Sequence, residues 1–113
     1  SPMLPRTRAF VTGEVSKAPL LTAAAAPVGD QLFVLNLRPG WLQVDVYDRH
    51  GQIQHRLRQA EQAYEASYYP RDIAVQRRGG GYDIAVIFTA PEPRLDMYRW
   101  TPAEANTPAV AQK

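Results

Sequence analysis

The sequence predicts an all-β protein made of two similar antiparallel sheets, and three observations predict it. The chain matches itself without gaps at an offset of 51 residues: Pro19 falls on Pro70, Ala23 on Ala74, Gly29 on Gly80, Asp45 on Asp96 and Tyr47 on Tyr98. The apolar positions follow the same shift, with Phe33 on Ile84, Leu35 on Val86, Val44 on Leu95 and Val46 on Met97. A fixed internal offset is the mark of one supersecondary unit used twice. Second, Leu42–Tyr47 and Arg94–Trp100 alternate apolar and polar residues, the period of a half-buried strand. Third, Gly-, Pro- and Asp-containing turn signals punctuate the chain between these stretches.

Taken in order, Arg8–Val15 reads as a strand with Phe10 and Val11 as its apolar content. Pro19–Ala26 opens the first repeat. Four alanines in a row, Ala23–Ala26, favour helix by propensity. The matching Asp72-Ile73-Ala74-Val75 is β-like, however, so the stretch reads as a strand in a place that needs small residues. A turn follows at Pro27-Val28-Gly29-Asp30. Gln31–Leu37 is a nearly continuous apolar run, as expected of a strand covered on both faces. Arg38-Pro39-Gly40 is a loop, Leu42–Tyr47 a strand, and Asp48-Arg49-His50-Gly51 a hairpin turn with Gly where positive φ is needed. Gln52–Arg58 alternates again around Ile53 and Leu57. Residues 60–69 form an irregular link. Arg71–Val75 is a strand, Arg77–Gly81 a turn, Tyr82–Phe88 a buried strand, Pro91-Glu92-Pro93 a loop and Arg94–Trp100 the last strand.

The domain organisation that follows has four parts. Ser1-Pro2-Met3 reads as a cloning scar ahead of a flexible N-terminus over 1–7. A two-repeat β domain covers 8–100, with repeat 1 at 19–58 and repeat 2 at 70–100. The strand at 8–15 is left over, and is expected to pair beside Arg94–Trp100 and complete the second repeat. Residues 101–113, rich in Pro, Ala, Thr and Asn, read as a flexible tail.

Composition narrows the function classes. At 113 residues the chain is one domain at most or a piece of one, and 45% apolar content supports a modest core. The net charge is +2, from 13 basic and 11 acidic side chains, without the clustered excess of a nucleic-acid domain. The absence of cysteine excludes disulfides, Cys-type zinc sites, iron–sulfur clusters and thiol catalysis. No stretch has the length of a membrane span and no signal peptide is read, so periplasm and cytoplasm are both compatible.

Each repeat is a strand, a tight turn, an apolar strand, a loop and an alternating strand, and the first repeat adds a fourth strand. Four antiparallel strands in a meander are the build of a propeller blade. Tyr69–Val75, Gly81–Val86 and Arg94–Tyr98 resemble an NHL-type six-bladed β-propeller repeat, and Leu42–Gly51 is similar to its third strand and the turn beyond. The resemblance implies two blade-like units. Two blades cannot close a ring, so three copies would assemble into one of six, unless the chain is a fragment or its sheets pack as a small β-sandwich.

No constellation carries chemistry. His50 and His55 flank a turn and lack further metal ligands, so they read as solvated turn residues and no metal or cofactor is assigned. Asp45 and Asp96 are equivalent in the repeat and read as outward strand residues bonded to a turn or an Arg. Gly79-Gly80-Gly81 reads as a hairpin turn, because a phosphate loop needs a helix behind it. The residues that break the repeat are the better candidates for function. Trp41 has Glu92 at its equivalent position and Arg38 has Thr89. The expected binding face therefore comprises Arg38, Trp41, Tyr68, Tyr69, Arg71 and Glu92. The expected function is a non-catalytic binding or assembly module that recognises a protein, a small ligand or its own copies. An enzyme fragment with catalytic residues elsewhere and a small nucleic-acid-binding β domain are the alternatives.

Overall fold

The computed structural model describes residues 7–13, 21–38, 41–60 and 69–102. Eight strands follow one another: β1 (Thr7–Thr12), β2 (Leu21–Val28), β3 (Gln31–Arg38), β4 (Trp41–Tyr47), β5 (Ile53–Gln59), β6 (Tyr69–Arg78), β7 (Gly81–Ala90) and β8 (Arg94–Trp100). They form one sheet in the order β2-β3-β4-β5-β1-β8-β7-β6. The outermost strands, β2 and β6, lie beside each other, so the sheet is nearly closed into a barrel.

Local chemistry explains the hairpins. Gly29–Asp30 and Gly79–Gly80 are two-residue turns with glycine at positive φ, as tight right-twisted hairpins require. At Asp48–Gly51 the Asp48 carboxylate accepts the backbone N–H groups of His50 (2.8 Å) and Gln52 (2.9 Å). Those bonds, led by that from Gln52, hold its pKa below the usual carboxylate value. Gly81 is required for another reason: a Cβ there would stand 2.8 Å from the Trp100 carbonyl oxygen.

Two meanders, β2 to β5 and β6 to β8, are joined by β1. This strand pairs antiparallel with β5 (Phe10 with Gln59) and parallel with β8 (Arg8 with Tyr98). Rather than completing one sheet, it fuses the two. Within the described strands, proline occurs only on the outer strands β2 and β6, at Pro27 and Pro70, where a missing N–H breaks no inner ladder. The alanines of β2 do form a strand, and Ala26 is buried in the core.

The interior is filled by one face of each strand. Phe33, Leu35 and Leu37 come from β3, Leu42, Val44 and Val46 from β4, Leu57 from β5 and Phe10 from β1. Tyr98 and Trp100 of β8, Tyr82, Ile84, Val86 and Phe88 of β7 and Ile73 of β6 complete it. An interior of eight strands is about wide enough for side chains to fill.

This architecture overturns the expected fold in three respects. There are no propeller blades and no pair of four-stranded sheets, whether arranged as blades or as a sandwich. One continuous mixed sheet takes their place, so the NHL-type resemblance does not hold and no ring of blades remains to be closed. The repeat fails on register. Phe33 pairs with Val46, but Ile84 pairs with Tyr98, so the β7–β8 hairpin holds one residue more than the β3–β4 hairpin. The turns Gly29–Asp30 and Gly79–Gly80, meanwhile, stand 50 residues apart, not 51. A one-residue slip sends every side chain of a strand to the opposite face. Accordingly Val44 is fully buried while Leu95, its expected equivalent, is 43% exposed.

Candidate functional site

The register sorts all strand ends into two groups. One end gathers the starts of β1, β2, β4, β6 and β8 with the finishes of β3, β5 and β7. The tight turns after β2, β4 and β6 lie at the other end.

The first end holds the expected binding face. Arg38 closes β3 and pairs with Trp41, which opens β4 and is 39% exposed. Arg71 is an exposed residue of β6, and Glu92 is exposed in the β7–β8 connection. Tyr69 begins β6; Tyr68 and the side chains of Arg38 and Tyr69 lie outside the described residues.

The same end also has a polar interior that the sequence reading missed. Arg8, one turn of the pleat from Phe10, and Arg94, two residues before Asp96, face inward. The Arg94 guanidinium clasps Asp96 with both arms, at 3.0 and 2.7 Å, and lies 4.9 Å from the centre of the Phe88 ring. Arg8 makes one long contact, 3.5 Å, to the same carboxylate. The two guanidinium side chains are 28% and 29% exposed, whereas that of Asp96 is nearly covered.

Beneath them are two deeply buried polar groups. Gln59 accepts the backbone N–H of Leu42 through Oε1 at 3.0 Å. That bond fixes the orientation of the amide, because only the oxygen can accept, and it turns Nε2 elsewhere. Gln59 Nε2 has no hydrogen-bond partner, nor has the Tyr98 hydroxyl. Tyr98 is stacked on Phe10 at 4.2 Å and is 1% exposed. Burial, reinforced by the negative charge of Asp96, pushes its hydroxyl above the usual phenol pKa; Gln59 and Arg8, close to the hydroxyl but outside hydrogen-bond geometry, act in the lowering direction. Buried polar groups without partners are uncommon in folded proteins and each calls for an explanation.

The two aspartates meet different fates. Asp96 faces inward, contrary to the outward position expected of it, and bonds to Arg94. Asp45 lies on the outer face of β4 and accepts from Asn36 Nδ2 (2.8 Å) and Gln43 Nε2 (2.9 Å). The slip in register separates them onto opposite faces, so they form no acid–base pair. His50 stands in the exposed turn, but His55 points inward and packs edge-on against Trp100, with centroids 4.8 Å apart. The arginines are divided as well. Arg71 and Arg94 lie at the first end, while Arg78, next to Arg77 at the finish of β6, binds Asp83 at the other.

A shallow, open groove of about 650 Å3 lies at the second end, between the Gly29–Asp30 turn and the Asp48–Gly51 turn, over Leu32 and Val34. Asp30 and Asp48 both line it, and Asp48 is already committed to its own turn.

No family model matches the chain, and neither a curated protein nor a solved structure does.

A clue to the inner residues was present in β8. Its alternation offers two inward sets, Leu95 with Met97 or Asp96 with Tyr98 and Trp100. The second brings two large aromatics into the core and takes Arg94 and Asp96 with them. Because aromatic side chains bury 150–250 Å2 each, that set prevails.

Proposed function

We propose that this chain is a non-catalytic binding module that works through the strand end carrying Trp41, Arg38, Tyr69, Arg71 and Glu92, together with the polar interior at that end. One observation carries the reading. Two buried donors, Gln59 Nε2 and the Tyr98 hydroxyl, have no protein partner, and they lie beneath partly exposed arginines at the end where Trp41 stands exposed. The two features are joined covalently and by a hydrogen bond: Leu42, next to Trp41, donates its N–H to Gln59. The ionisable groups suit recognition more than catalysis, because both carboxylate oxygens of Asp96 already accept from Arg94.

The test is a panel of small aromatic acids, amides and alcohols, mapped by backbone amide chemical shifts. Binders should perturb β1, the start of β4 and β8. Trp41→Ala should retain the spectrum of a folded protein and weaken binding by about tenfold or more, as loss of an exposed aromatic anchor does. The reading fails if no compound in the panel perturbs this end, or if all binders collect in the groove at the opposite end.

A further inference from the structure

Resting on that reading, we propose that the inner mouth formed by Arg8, Arg94, Gln59 and Tyr98 is a receptor for a single carboxylate group of a small organic acid. The argument begins with the kind of valence left open. Gln59 Nε2 can only donate, since its oxygen is occupied by the Leu42 N–H. Arg8 has five N–H groups and one long contact to Asp96. The Tyr98 hydroxyl adds a third donor. A cluster of unused donors calls for an acceptor, and a carboxylate offers two oxygens with about four acceptor sites.

Charge selects among anions. The Asp96 carboxylate that Arg8 and Arg94 both contact is nearly covered. A monoanion brings one further negative charge beside it and a phosphate dianion brings two, which is costlier in a poorly hydrated site.

Geometry selects the arginine that binds. Arg94 is committed, with two short bonds to Asp96 and its plane over Phe88. Arg8 is loosely held, and its planar fork matches a carboxylate bidentately. Arg8 is also a polar neighbour of the buried Tyr98 hydroxyl. A carboxylate that draws Arg8 aside takes its guanidinium as a clamp and uncovers the hydroxyl and the Gln59 amide as further donors. The rings of Phe10 and Phe88 border this position and suit an acid with an apolar body.

Isotope-labelled protein titrated in parallel with benzoate, benzamide and inorganic phosphate tests the assignment. Benzoate should shift the amides of Arg8, Gln59 and Tyr98 and the Arg8 Nε resonance in a saturable way, at least tenfold more tightly than benzamide or phosphate. Arg8→Gln should reduce benzoate affinity tenfold or more with an otherwise unchanged spectrum; Arg8→Lys, which keeps the charge and loses the fork, should recover only part of it. Equal binding of benzoate and benzamide, or tighter binding of phosphate, overturns the carboxylate assignment and leaves the binding module standing. Saturable benzoate binding that is indifferent to Arg8→Gln overturns the role of Arg8 and with it the inferred site. If none of the three probes nor any compound of the wider panel perturbs this end, both readings fall together.

Discussion

β8 carries Trp100 at one end of the barrel interior and Arg94 with Asp96 at the other, and the two ends are packed on different principles. At the turn end Trp100 stacks on Tyr82 at 5.2 Å and meets Phe33 and His55 edge-on. The Tyr82 hydroxyl donates to Gln31 Oε1 at 2.8 Å, closing that layer from β7 to β3. At the other end the same strand ends in a carboxylate between two guanidinium groups, above donors that nothing satisfies. An unmade hydrogen bond in a buried place costs about 1–3 kcal/mol. The fold therefore concentrates its aromatic contacts at the turn end, where Trp100 Nε1 is also left without a partner, and gathers its charged pair with two further open donors at the other.

The largest test of that division is Trp100→Ala. The side chain is fully buried among three rings, so its removal should cost about 3–5 kcal/mol in chemical denaturation. Arg8→Gln, at the mouth, should cost about 0–1 kcal/mol, since its ion-pair contact is long and partly hydrated. If the two substitutions destabilise equally, the mouth is part of the structural core and the contrast between the ends disappears.

Much of the fold is legible in the sequence because it is local. The alternation of Leu42–Tyr47, the glycines of the turns and the Asp48 hairpin act over a few residues, and each strand of the meanders can be read from them. What closes the sheet is not local. β1 pairs with β5 and β8, far away along the chain, and nothing within Thr7–Thr12 announces a parallel partner. The position of β8 turned on one residue in the Pro91–Pro93 connection, and a slip of one exchanges Leu95 for Asp96 at the core. The candidate site suffered for the same reason. Trp41 and Arg38 are neighbours across a hairpin and stand out by their sequence context alone. Arg8, Gln59 and Tyr98 come from three separate strands and meet only when the barrel forms.

Tyr98→Phe sharpens the comparison with a smaller effect of opposite sign. Removing a hydroxyl that has no partner leaves the stack on Phe10 in place and relieves a desolvated polar group. Stability should be unchanged or rise by up to about 1 kcal/mol, measured by the same denaturation experiment. A loss above that range would mean that the hydroxyl is satisfied in solution and that the open valence at the mouth is smaller than the structure indicates.

The smallest expected effect belongs to the turn end and is read as a dependence on pH. His55 projects inward from β5 against Trp100, and burial pushes its pKa below the ordinary histidine value of about 6.5. Between the folded and unfolded pKa the unfolded chain binds more protons than the folded one, so stability rises with pH across that window. The contribution is complete above about pH 6.5 and diminishes as the pH falls below it. Melting temperature should therefore be level from neutral to mildly alkaline pH and decline on acidification through that value. His55→Gln should flatten this decline, and His50→Gln, in the exposed turn, should leave it in place. A second loss at lower pH should persist in both variants, because Arg78, then Arg99, holds the Asp83 carboxyl below its usual range, and protonating it removes that support. A decline near pH 6.5 that survives in His55→Gln would remove His55 from the account and leave the aromatic end insensitive to protonation.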